Sequence, residues 1–234
     1  MRRALFVIGL SFALMASAAQ SQSQMGATPE TGSLIRRDPA QIRGETAFAA
    51  RMTLKEFGTC TVGRSAKAAL AVVDLPYGTS AFDKAINRLA DVECLSSGTL
   101  IIPPYLMRGA LFEALYLREF GRNANPNVKS APSYDYMAGY DRPVEPDAAN
   151  TIALAIVGDC VTRTVPLASH QLLTSIPGSQ LESDSIAAVA KELPGCVPPR
   201  QTFRFQRSII RAAVAEALYR LSTERQGKAE AARQ

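Results

Sequence analysis

The sequence predicts an all-α protein. It reads as two tandem helical repeats of about four helices each, each clipped by one disulfide, packed with approximate twofold pseudosymmetry. Three observations carry that expectation. RGALFEALY at 108–116 and RAAVAEALY at 211–219 are near copies. Apolar residues in both recur at helical spacing. Four cysteines, Cys60, Cys94, Cys160 and Cys196, fall at matching places in the two halves.

The N-terminus predicts export. Arg2 and Arg3 precede an apolar run, Ala4 to Met15, and the small residues Ala16-Ser17-Ala18 follow. This is the pattern of a cleaved secretory signal over residues 1–18. The run falls short of the ~20 apolar residues of a spanning helix, so no stable membrane anchor is expected after cleavage. The expected location is periplasmic or secreted. Without the signal, 24 Lys+Arg face 21 Asp+Glu, a balance of +3. That mild balance, and the lack of a dense basic run with interleaved aromatics, argue against nucleic acid as a partner. Residues 19–44 are polar and rich in small residues, so they read as a flexible segment.

Residues 45–121 form the first predicted repeat and 150–222 the second. Gly58-Thr59-Cys60 aligns with Gly158-Asp159-Cys160, Leu75-Pro76 with Ile176-Pro177, Cys94 with Cys196, and Arg108–Tyr116 with Arg211–Tyr219. The offset drifts only from 100 to 103, as small loop insertions would make it do. Landmarks in constant order at near-constant offset mark an internal duplication.

Each repeat opens with helical segments at Ala47 to Val62 and Ala66 to Val73, or at Thr151 to Thr162 and Pro166 to Leu173, the first of each pair being a separate helix or a kinked continuation. Pro166 suits a first helical turn, where its missing amide proton costs nothing. Turns follow at LPYGT and IPGS. Ser179-Gln180-Leu181-Glu182 then fits a capping box, and Ser80-Ala81-Phe82-Asp83 is a weaker version. The closing helix of the first repeat places Met107, Ala110, Leu111, Ala114 and Leu115 on one face. The second places Ile210, Ala213, Val214, Ala217 and Leu218 there.

This geometry pairs the cysteines. Helical arms of about fifteen residues, at 1.5 Å per residue, return the chain near its start. Cys60–Cys94 and Cys160–Cys196 are therefore the expected bridges, although spacing alone allows three complete pairings. An even cysteine count in an exported chain fits disulfides rather than free thiols.

Residues 122–149 read as a linker. Tyr134, Tyr136 and Tyr140 within it are expected to fasten it onto neighbouring helices rather than to form a binding surface. Residues 223–234 read as a tail, a fraying helix end.

Motifs of known chemistry are missing. There is no HExxH, CxxC, CxxCH, nucleophile elbow or glycine-rich phosphate loop. Ser65-Ala66-Lys67 has the wrong spacing for an SxxK nucleophile. His170, the single histidine, reads as a helix-surface or boundary residue rather than a ligand or base. No metal site, cofactor or catalytic residue is expected.

The matched polar residues remain: Arg108 with Arg211, Glu113 with Glu216, and Tyr116 with Tyr219. Arg and Glu five apart on one helix diverge by about 140° at 100° per residue. They should therefore pair with a neighbouring helix. A structural brace is the favoured reading, because charged groups at interior flanks are usually there because they are paired. The alternative is a pair of symmetric binding or catalytic sites.

A signal, a Gly-x-Cys helix, an Ile-Pro-Gly-Ser turn, a second cysteine and a closing RxAxxEALY helix occur in that order. The arrangement resembles uncharacterised exported α-helical proteins of alphaproteobacteria over roughly residues 50–220. The resemblance implies no activity and transfers no catalytic residue. The helix pairs are also similar to tetratricopeptide arrays, from which two copies at a period near 100 depart. The function expected is a non-enzymatic periplasmic binding or interaction protein, with another envelope protein as partner and envelope maintenance as its field. The alternatives are a carboxylate-dependent cell-wall hydrolase and a periplasmic inhibitor or immunity protein.

Overall fold

A computed structural model describes residues 45–90, 94, 101–140, 143–198 and 203–231. The expected signal sequence and the segment up to residue 44 lie outside the described residues. Among these residues there are seven helices and no strand: α1 (Glu45–Val73), α2 (Ser80–Ala90), α3 (Pro104–Glu119), α4 (Pro146–Thr164), α5 (Pro166–Thr174), α6 (Gln180–Cys196) and α7 (Arg207–Ala231).

Prolines and turn residues set most of these boundaries. Pro104, Pro146 and Pro166 sit in the first turns of α3, α4 and α5, where no amide proton is needed. The chain reverses between α1 and α2 at Gly78 and between α5 and α6 at Gly178. Both adopt positive φ, 79° and 81°, a conformation that costs glycine little. Ser179 caps α6 by accepting from the Glu182 amide at 3.2 Å. In the first half the cap is one residue earlier than Ser80: Thr79 Oγ1 accepts from the Phe82 amide at 3.2 Å.

Two further boundaries bear on the sequence reading. Over 47–73 the helical segments are continuous across a kink at Ser65 (φ −151°, ψ 82°), the kinked form of the two expected. The Ser65 hydroxyl accepts from the Ala68 amide at 3.3 Å, so the serine caps the second half of the bent helix. Counted on either side of this kink, four helical segments precede residue 122. At Val165 (φ −127°, ψ 63°) the corresponding break is complete, because Pro166 cannot donate to the preceding turn. The second boundary is the linker: α4 starts at Pro146, inside the expected 122–149 stretch, and α7 runs through the expected tail to Ala231.

Helices α3 and α7 cross at the centre, with α1 packed on α3 and α4 on α7. Small residues let the backbones meet. A Cβ on Gly109 would overlap the Ala212 methyl and lie 2.7 Å from Ala212 Cα, so only that methyl separates α3 from α7 here. A Cβ on Gly58 would lie 2.6 Å from the Ala110 carbonyl oxygen, and one on Gly158 2.6 Å from that of Ala213. Each first helix thus lies against the backbone of a central helix.

This central position changes the reading of α3. The face predicted as apolar is buried, but so is every residue from Leu106 to Tyr116, including Arg108 and Glu113. The helix is enclosed rather than amphipathic, and its charges are internal. Phe82, Leu111, Phe112, Leu172, Leu218 and Leu221 are among the core side chains with no exposure.

Both disulfides have the expected connectivity. Cys60–Cys94 and Cys160–Cys196 hold Cα atoms 5.6 and 5.7 Å apart, across separations of 34 and 36 residues. Among the described residues no cysteine is free. Such bridges persist in a non-reducing, exported environment. No single described helix is long and apolar enough to cross a membrane.

Candidate functional site

Of the six matched polar residues, the four charged ones pair at the α3–α7 crossing. Arg108 of α3 donates from Nη2 to Glu216 Oε1 of α7 at 3.0 Å. In the other direction, Arg211 of α7 grips Glu113 of α3 with two bonds, Nε to Oε2 at 2.6 Å and Nη2 to Oε1 at 2.9 Å. The pairs are reciprocal, and all four residues are buried. Paired charges need their remaining hydrogen-bonding capacity satisfied to be tolerated in a core. Both arginines meet much of that need on main-chain carbonyls.

Arg108 Nη1 reaches Leu75 O at 2.8 Å, just beyond α1. Arg220, one turn after Glu216, donates to the same Oε1 at 3.0 Å and to Val73 O at 3.2 Å. Arg211 donates to Leu173 O and Ser175 O at 3.1 and 3.0 Å, where α5 ends. Lys55 of α1 donates to Leu173 O at 3.0 Å and to Glu113. These cations complete the last, otherwise unmatched carbonyls of α1 and α5, at the negative ends of the helix dipoles.

The electrostatics follow the geometry. Burial pushes the Glu113 carboxyl upward, but the bonds and charge of Arg211, with Lys55 beside it, outweigh that and hold it below the ordinary range. Burial likewise opposes ionisation of Glu216, and Arg108 and Arg220 overcome it. Lys55 is pushed below the usual lysine value, chiefly by burial. Glu113 opposes that shift and Arg211 adds to it.

The tyrosines part company. Tyr116 Oη lies 2.8 Å from His170 Nδ1, and burial raises its hydroxyl pKa to about 12. His170 is buried rather than on the surface. Its Nε2 lies 2.8 Å from Arg122 O, so the ring is fixed at both nitrogens. Tyr219 packs instead on Phe112, with ring centroids 5.7 Å apart.

Residues 131–140 of the connection roof the Arg108 pair. Tyr134 lies with its centroid 4.1 Å from Arg220 Cζ. Tyr136 donates to Asp159 Oδ2 at 3.2 Å, and Tyr140 Oη accepts from the Tyr77 amide at 2.7 Å. Arg163 ties the same connection down through Ala131 O and Pro132 O, at 2.7 and 3.0 Å. Under this roof remains a cleft of about 30 Å³ lined by Arg108, Glu216, Arg220 and the three tyrosines.

Sequence reasoning missed Lys55, which belongs to no motif, and Arg220, whose i,i+4 spacing from Glu216 was the available signal. It took Glu182 as a cap only. The carboxylate does receive the Gly178 amide at 2.7 Å, but it also faces Arg211 Nη1 at 3.4 Å with its side chain fully buried. Its place one residue after Leu181, at the start of α6, was the available signal. Among the described residues no group of His, Cys, Asp and Glu is arranged to hold a metal ion. The chain is matched by no family model, no curated protein and no solved structure at a significant level.

Proposed function

We propose that this protein is an exported, non-enzymatic helical interaction protein of the periplasm, acting on another envelope protein. The observation that carries the reading is the reciprocal pairing of Arg108 with Glu216 and Arg211 with Glu113. The polar residues that the sequence sets apart serve as internal braces. A hydrolase using these glutamates would need one held protonated near neutral pH as a general acid. Both are instead driven toward the ionised form by guanidinium groups. What the chain offers outward is a rigid, doubly clipped helical body.

We further propose that the body arose by tandem duplication and has approximate twofold pseudosymmetry. Four matched features support this: the crossed ion pairs, the disulfides, the glycine turns at 78 and 178, and the close contacts at Gly58 and Gly158.

The functional reading is tested with the purified protein on cell-wall sacculi and, in parallel, as bait in an envelope extract. The expected outcome is a defined protein retained in stoichiometric amount and no release of soluble muropeptides. Muropeptide release that Glu113→Gln abolishes while the helical circular dichroism persists would overturn it.

A further inference from the structure

The Arg211 end of the crossing carries more positive charge than its carboxylates balance. Glu113 is engaged by Arg211 and Lys55. Glu182 faces three cations: Arg211 Nη1 at 3.4 Å, Arg51 Nη2 at 3.6 Å and Arg207 Nη1 at 3.7 Å. Four cations therefore surround two acids, and among the described residues no third carboxylate pairs with them. The Arg122 charge also lies near enough to disfavour protonated Lys55.

A cleft of about 30 Å³ opens here, lined by Arg51, Lys55, Glu113, Ser208 and Arg211, with Leu54, Leu106 and Ala110 as apolar walls. Arg51 Nε is buried in this region without a hydrogen-bond partner. A buried donor left unmatched costs about 1–3 kcal/mol, more when charged, so a ligand that satisfies it gains that much. The volume holds about two water-sized oxygens, the span of one small oxyanion head.

We propose that this cleft binds an oxyanion, a carboxylate or phosphate group, gripped by Arg51 and Lys55. A guanidinium presents two parallel N–H groups to such a ligand. On the guanidinium edge of Arg51 formed by Nε and Nη2, Nη2 makes only a long contact to Glu182 and Nε has no partner. Lys55 has three donors and two partners, Glu113 and Leu173 O. The Ser208 hydroxyl adds a neutral donor at the rim. The bound anion offsets the excess charge without displacing either glutamate, so the site stands whether or not the protein docks another.

The test is a nuclear magnetic resonance titration of the exported full chain with acetate and with inorganic phosphate, at ionic strength held constant with sodium chloride. Saturable shifts of the Arg51 Nε–H signal are expected with at least one probe. The tighter probe tells whether the natural ligand presents a carboxylate or a phosphate. Arg51→Gln should weaken binding about ten-fold, the equivalent of one charged hydrogen bond at 1.4 kcal/mol, with the rest of the spectrum preserved. Lys67→Gln, on the exposed side of α1, should leave binding unchanged. Shifts that sodium chloride alone reproduces, or equal affinity in Arg51→Gln, overturn the proposal.

Discussion

The two ends of the central crossing use the same arginine–glutamate pair to different purposes. At the Arg108 end, two arginines share Glu216, a connection carrying three tyrosines lies on top, and Phe82 offers its ring 5.7 Å from the Arg108 guanidinium. At the Arg211 end, the position matching Phe82 is Glu182. Its carboxylate draws in Arg51 and Arg207, and Lys55 enters from α1. One end is roofed, with two arginines on a single glutamate. The other gathers four cations about two glutamates beside the cleft lined by Arg51, Lys55 and Ser208. A brace repeated in two places can stay fixed in its core while its surroundings diverge. The departures from the matched pattern therefore point to function better than the match itself does.

The largest test of the comparison is to remove each brace. Glu113→Ala strands Arg211 and Lys55, and Glu216→Ala strands Arg108 and Arg220. Uncompensated buried charge costs about 3–5 kcal/mol. Urea unfolding should show losses of that order for both, with Glu113→Ala partly relieved because Lys55 can shed its proton and Glu182 remains. Equal losses would mean that the two ends are energetically alike.

Next come the bridges. Each closes a loop of similar length, and the chain-entropy model assigns about 4 kcal/mol to either. Cys60→Ser/Cys94→Ser and Cys160→Ser/Cys196→Ser should therefore lower stability about equally. An inequality measured by urea unfolding locates the half whose unfolded chain keeps residual structure.

Acid should expose the same braces. Glu113 and Glu216 have folded-state pKa values below their unfolded ones. The stability they contribute is present above the unfolded value of about 4.3. It is lost as pH falls from there through the folded values, because the unfolded chain then binds more protons. Unfolding free energy should decline below about pH 4, and Glu113→Gln/Glu216→Gln should flatten that decline. The smallest expected effect is Tyr136→Phe, which removes one hydrogen bond from the roof and should cost about 1 kcal/mol. It should leave the Arg211 end, read by the Arg51 signal, untouched.

Much of this was legible in the sequence, for identifiable reasons. The bridges follow from arm lengths, a one-dimensional quantity. The burial of Met107, Leu111 and Leu218 follows from periodicity. The crossed pairs were half legible: five-residue spacing excludes pairing within α3, but periodicity says which way Arg108 points and not which glutamate, 108 residues on, receives it. Arg220 stands four residues after Glu216, a spacing that could have signalled their pairing, whereas Lys55 meets Glu113 across 58 residues and the Leu173 carbonyl across 118, which no local pattern signals. His170 was misplaced because its burial depends on Tyr116 and the backbone at Arg122, both distant in the chain.

The crossed pairing also orders events in time. Glu113 lies about a hundred residues ahead of Arg211 in the chain, and Arg108 precedes Glu216 by a similar interval. Until the last helix is made, Arg108 lacks its carboxylate and Glu113 has only Lys55 of its two cations. The Cys60–Cys94 clip needs only local chain and can close early. The expected sequence is oxidation first, then a wait, then consolidation of the whole chain at once. A fragment covering 45–121 should accordingly form its disulfide without acquiring protease resistance, and the full chain should resist cleavage between 123 and 138 into two stable halves.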